Sequence, residues 1–295
     1  MKLAAAIAIL LFAVPAGAAD GWLEPEAGQV SLESSVEGYL ADWTRDPWAE
    51  DEAQRPGPED EWVMHLDVGV WAAQLRGPIR KDGDDIGDWV DELGVDSFAA
   101  VPTVRFQATR DDWTILVSAY WAEWDGSAET SKNLDWPGVR GGAKVLLPAG
   151  TPIDSRLRIS KIQFLVGPQL IGTSRTKLRV FFGLVGYDVD LRLDPRSNNE
   201  TIAADAFVPA PTIGIGAYGR ISKRWSWEVE LFGFGISIDT FGISIIDARL
   251  AIGYNVSAAI ALRLGYRATA LSILVDGYEV DVSLDGGFFE LRWSF

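Results

Sequence analysis

The last ten residues, Gly286 to Phe295, read GGFFELRWSF. In an extended chain Phe289, Leu291, Trp293 and Phe295 share one face, and Phe288, Glu290, Arg292 and Ser294 share the other. Large apolar groups at every second position predict a strand with one strongly apolar face.

Working back from that strand, the same period recurs as far as Trp62. Met64, Leu66, Val68, Val70 and Ala72 alternate with His65, Asp67, Gly69 and Trp71. Val104, Phe106 and Ala108 alternate with Thr103, Arg105, Gln107 and Thr109, and Asp111-Asp112 turns the chain into Trp113, Ile115, Val117, Ala119 and Trp121. In the fourth run Leu157 and Ile159 give way to Ile162, Phe164 and Val166, a change of parity that predicts a bulge near Ser160-Lys161. Further runs around Leu178 to Leu184, Ile213 to Ala217, Trp225 to Leu231, Ile246 to Tyr254 and Ile260 to Tyr266 bring the expected strands to about ten. Long connections are expected after strands one (Gly77 to Asp96), three (Asp125 to Asp154), five (Asp194 to Asp205) and nine (Val275 to Asp285), and short ones after two, four, six and eight. The link Asp239 to Gly242 is too short for its place in that alternation: either the strands beside it project beyond the membrane, or the strand count is off there.

Residues 1–19 have the makeup of a cleaved secretory signal: Lys2, an apolar run from Leu3 to Val14, and Ala16-Gly17-Ala18. Residues 20–60 form an acidic extension, twelve carboxylates against Arg45 and Arg55, with a short amphipathic spacing at Val36, Tyr39, Leu40 and Trp43. No cysteine occurs, which removes disulfides, thiol chemistry and a lipoprotein anchor. No later run of apolar residues is long enough for a spanning helix. A formal charge of −16 argues against nucleic acid as a partner.

An exported chain that alternates with period two, carrying 30 Gly and 13 Trp, fits an all-β transmembrane antiparallel up-and-down barrel over residues 61–295. Trp62, Trp113, Trp225, Tyr254 and Trp293 all fall at one set of strand ends, as an aromatic girdle at the periplasmic interface would require. A soluble β-sandwich has no reason to collect Trp there.

From Trp62 to Phe295 the chain resembles poorly characterised proteobacterial outer-membrane β-barrel proteins of porin-like type. The resemblance lies in the long polar first loop, in GTPIDSRLRI (Gly150 to Ile159) leading into the fourth strand, and in the ending FFELRWSF. It implies an outer-membrane location, with lipids and lipopolysaccharide as surroundings, and a terminal aromatic, Phe295, read by the barrel assembly machinery. It brings no catalytic residues.

Alternation assigns a charged ladder to the lumen: Glu228, Glu230, Asp247, Arg249, Arg263, Arg267, Glu290 and Arg292, with Arg263 opposite Glu290 on adjacent strands. His65, Asp67, Arg105, Arg158, Lys161 and Arg179 are expected in the lumen as well. Opposite charges in a low-dielectric interior should pair, and a ladder of both signs then either plugs the barrel or forms a pore constriction that selects anions. His65 with Asp67 resembles part of the omptin protease site, but omptins need a second acidic pair at the external rim, whereas His65 falls near the other end. With a single histidine and no cysteine, neither Ser-His chemistry nor a His/Cys zinc site is supported. Asp82, Asp84, Asp85, Asp88 and Asp91 lack the EF-hand spacing and read as a solvated acidic loop, with calcium bridging to lipid phosphates as the sharper alternative. The expected function is non-enzymatic and cofactor-free: a structural or surface-binding barrel acting through its external loops. Behind it stand a narrow channel for small solutes and a surface hydrolase of omptin type.

Overall fold

The computed structural model describes residues 62–295 apart from 132, 137–144, 174, 197–200, 239–240 and 276–277. The signal segment, the acidic extension and its helical spacing lie outside the described residues. Ten long strands form the wall: β1 (Val63–Arg76), β2 (Phe98–Arg110), β3 (Trp113–Glu129), β4 (Pro152–Gly172), β5 (Thr176–Pro195), β6 (Ile202–Arg220), β7 (Trp225–Ile238), β8 (Phe241–Asn255), β9 (Ile260–Val275) and β10 (Tyr278–Ser294). Each pairs antiparallel with its sequence neighbours, and β10 closes on β1 with His65 opposite Ser294 and Asp67 opposite Arg292. The chain is thus a closed ten-stranded transmembrane β-barrel, with no helix among the described residues.

Strands of 21, 20 and 19 residues in β4, β5 and β6 are about twice the 9–11 residues that cross a bilayer. The excess lies at the end that bears the longer connections, and the chemistry of the wall inverts along its length. At the end of the short turns, exposed apolar residues such as Phe164, Leu184, Ile252, Leu264 and Phe289 face outward, and charges face the lumen. At the loop end Trp71, Leu75, Trp124, Leu157, Ile159, Leu191 and Leu193 fill the interior, while Glu123, Arg156, Arg158 and Arg192 stand exposed outside. A wall crossing hydrocarbon must be apolar outside; a wall projecting into water buries its apolar face inward like any soluble sheet.

That inversion corrects two expectations. β4 has no bulge near Ser160-Lys161: odd-numbered side chains from Ile153 through Leu165 all point inward, and the only register shift with β5 falls between Gln169 and Ile171. The apolar residues change parity because the inward face changes from core to charged lumen. Arg158 is for the same reason not a lumen residue. It is exposed on the outer face and donates from Nη2 to Glu123 Oε2 at 3.3 Å.

The connections are also shorter than expected where strands project. β9 and β10 run to Val275 and from Tyr278, so no long loop spans Val275 to Asp285. Residues 77–96 are not simply a solvated loop. Pro78–Lys81 adds to the loop end of β10, Asp84–Asp88 pairs with it as a hairpin, and Trp89, Leu93 and Val95 are buried in the main core over the barrel mouth. Trp89 Nε1 donates to Asp281 O at 2.8 Å, and Ser155 Oγ to Leu93 O at 2.5 Å. The chain leaves this cap through Gly94, at φ 64°, whose carbonyl lies against Gly126 where a β-carbon would stand.

Candidate functional site

The lumen holds two groups of paired charges, the larger around Asp67 and Glu228. Arg292 donates from Nε to Asp67 Oδ1 at 2.6 Å and from Nη2 to Oδ2 at 2.7 Å, the fork geometry of a bidentate pair. Arg263 donates from Nη1 to the same Asp67 at 3.3 Å and from Nη2 to Glu228. Glu228 also accepts from Arg105 and Arg249, and Arg105 reaches Glu230 at 2.6 Å. Arg249 continues to Glu290. Tyr218 donates its hydroxyl to Glu230. A second group centres on Asp247, which accepts from Arg267 Nη2 at 2.6 Å and from Lys161.

Arg263 and Glu290 are directly opposite in register, but their charges pair elsewhere, Arg263 with Asp67 and Glu228 and Glu290 with Arg249. Arginine is long enough to reach across a narrow lumen, so the backbone neighbour is not the charge partner. Glu228, 1 % exposed, is the hub that spacing alone did not single out.

The cations also lie on aromatic faces. Arg249 is 4.5 Å from the Phe288 centroid, Arg267 is 4.9 Å from Tyr120 and 5.2 Å from Trp71, and Arg179 is 5.2 Å from Tyr218. These rings join the ladder to the apolar interior above it. Leu116, Leu165, Phe181 and Phe232 form a second, smaller cluster towards the turn end. Between them remains a cavity of about 30 Å³ bordered by Arg105, Glu230, Arg249 and Arg267, room for two or three waters.

His65, half-buried at the turn end, shares a hydrogen bond of 2.8 Å between Nδ1 and Ser294 Oγ. Asp67 on the same strand is taken up by Arg292 and Arg263, so the two do not form an Asp-His couple. Trp62, Trp113, Trp225 and Trp293 are exposed at the turn end, with Tyr254 half-buried beside Trp225 at 5.0 Å between ring centroids. Phe295 is exposed there, its backbone paired in both directions with Met64. In the acidic segment Asp85 pairs with Arg80 at 3.0 Å, and Asp88 accepts from the backbone N–H groups of Val90 and Asp91. Among the described residues no three His, Cys, Asp or Glu side chains converge as a metal site.

The outer face of the projection is a site the sequence did not reveal as one. Glu123, Arg158 and Asp190 lie in one cross-strand row, and Asp125, Arg156 and Arg192 in the next. Arg156 Nε donates to Asp125 at 2.7 Å. Farther out Arg196 grips Asp154 with two bonds, at 2.6 and 2.9 Å, and holds its carboxyl below the usual range. The signal that could have found this band is the exchange of Leu157 and Ile159 for Ile162 and Phe164 as the apolar parity of β4.

No protein-family model matches the sequence, and no curated protein does. Solved structures do. The outer-membrane protease OmpT of Escherichia coli superposes with a TM-score of 0.52 at 10% identity, covering 81% of this chain and 98% of its own. Ail, the attachment invasion locus protein of Yersinia pestis, gives 0.35 at 11% identity over 80% and 99%. Neisserial surface protein A gives 0.33 at 12% identity over 79% and 97%. At these identities the likeness is one of fold: the chain resembles bacterial outer-membrane β-barrels, a group whose members differ in function.

Proposed function

We propose that this chain is an integral outer-membrane barrel that works without catalysis, as a structural or surface-binding element presenting its projecting end outside the cell. The observation that carries this reading is a lumen occupied by side chains in both of its halves, as far as the described residues go. The ladder occupies the half within the membrane, the apolar core and the Trp89 cap occupy the projecting half, and the cavity described between them has room for a few waters. Ten strands enclose little more than their own side chains, whereas wide aqueous pores need about sixteen.

In this reading the girdled turn end faces the periplasm, residues 1–19 are removed on export, and the assembly machinery recognises the strand ending at Phe295. Lipids and lipopolysaccharide surround the belt. His65, the sole histidine in the sequence, lies at the turn end and is bonded to Ser294, far from the external rim where an omptin-like site would meet its substrate. That supports a role without hydrolysis.

Efflux from proteoliposomes loaded with salts and small sugars tests the reading. Vesicles containing the protein should leak no faster than empty ones. Steady, size-selective efflux would instead put the narrow solute channel first.

A further inference from the structure

The wall is not paired throughout. β6 pairs with β5 along its whole length, from Ile202 opposite Leu193 to Gly219 opposite Thr176. With β7 it pairs only from Ile213–Gly233 down to Arg220–Ser226. Above that level Ile202–Thr212 of β6 and Phe234–Ile238 of β7 are not joined by any strand pairing among the described residues, while β7 keeps its pairing with β8 up to Ile238–Phe241. The barrel therefore carries a lateral seam.

The sequence of β6 suits a seam. Pro209 and Pro211 fall within the unpaired length. Proline is tolerated in a strand where its missing N–H would face an unpaired edge, and the unpaired edge of β6 is the one towards β7. Two donors are thus absent from an edge that would otherwise leave them unsatisfied in hydrocarbon. The seam is floored by apolar groups: half-buried Val208 and Phe234 rest on the main core, and Ile236 is 41% exposed at its edge.

Depth identifies what meets it. The paired stretch of β6 and β7 rises from the girdle residue Trp225 through eight residue pairs, about 20 Å of wall at a tilt of about 40°, against an apolar band of about 25 Å. The seam therefore opens in the last few ångströms of hydrocarbon and continues upward into the headgroup layer. Outside it, Pro211 is in register with Leu184 and Phe164, both lipid-facing, and Pro209 with Gly186 and Ile162. Asp188 and exposed Phe207, directly opposite each other, mark the change to the charged band.

We infer that this seam is a lipid-binding groove, seating one acyl chain of a lipid of the surrounding outer leaflet against Val208, Phe234 and Ile236 with its headgroup in the layer above. An apolar chain fits because the floor and edges are apolar, one edge lacks two donors, and the opening faces the leaflet itself rather than the aqueous mouth.

Photocrosslinking tests this in phospholipid bilayers. Phe234→p-benzoylphenylalanine places the probe in the seam. The same substitution at lipid-facing Phe289, 53% exposed, is the positive control, and at inward Phe288, 3% exposed, the negative one. Illumination should shift the intact mass of the Phe234 and Phe289 variants by one phospholipid and leave the Phe288 variant unchanged. Absence of a lipid adduct at Phe234 with an adduct at Phe289 would overturn the groove. So would an adduct only with a water-soluble hydrocarbon added from outside, which would mean that the seam is filled from the mouth. Ile236→p-benzoylphenylalanine repeats the test at a less buried position of the groove, 41% exposed, where a lipid adduct is expected and its absence beside an adduct at Phe289 would likewise overturn the groove.

Discussion

Arg292 clasps Asp67 with two parallel hydrogen bonds, at 2.6 and 2.7 Å, across the junction where the last strand closes on the first. The pair stands directly opposite in register, so closing the sheet and neutralising a buried carboxylate are one event. Asp67→Ala leaves Arg292 and Arg263 without that partner in the lumen and should destabilise the folded barrel by about 3–5 kcal/mol. Asp67→Ala with Arg292→Ala should recover part of the loss. Urea unfolding in micelles, followed by the heat-modifiable gel shift, reads both; a double variant whose loss equals or exceeds the sum of the single losses would refute the coupling.

Glu228 accepts from three arginines, Arg105, Arg249 and Arg263. Glu228→Gln keeps the volume and removes the charge that they share. It should cost more stability than the same change at Glu290, which accepts from Arg249 alone among these, because more buried cations lose a partner. Equal losses at the two positions would show that the network has no hub.

Most of the fold was legible because period two and turn chemistry act locally. β1, the Asp111-Asp112 turn and the closing strand could each be read within a dozen residues. The ladder was legible for the same reason: inward parity alone places Glu228, Asp247, Arg263 and Glu290. What parity does not give is how far across the lumen an arginine reaches, which is why Arg263 and Glu290 face each other yet pair with other groups. Nor does it say where the membrane ends. Trp71 and Leu75 share the inward parity of His65 and Asp67, and that shift from polar to apolar along one face of β1 was the available sign that the barrel projects. The cap was hidden because Trp89, Leu93 and Val95 have no strand period and sit in a stretch dominated by aspartate; only the mouth they cover gives them a reason to be buried.

Trp89 fixes that cap. Trp89→Ala removes a fully buried ring and its hydrogen bond to Asp281 O, a loss of about 3–5 kcal/mol at a core site. Most of it should fall on the cap, since the strands below keep their pairing. Limited proteolysis should cut between residues 77 and 96 in the variant and leave a barrel-sized core, whereas the native protein resists. Global unfolding with no early cut would mean that the cap and the wall fold as one unit.

At Gly83, at the tip of the same hairpin, an added β-carbon would meet no atom within 4 Å. A short epitope inserted there should be tolerated and labelled on intact cells, because the hairpin caps the projecting end. Labelling only after permeabilisation of the outer membrane would reverse the orientation.

The central claim is that the lumen is sealed, and single-channel recording in a planar bilayer at neutral pH tests it most directly. The native protein should show no steady conductance, and Glu228→Gln should show brief openings as the arginines around it lose their shared partner. A steady conductance from the native protein would contradict the account and make the ladder a constriction rather than a plug.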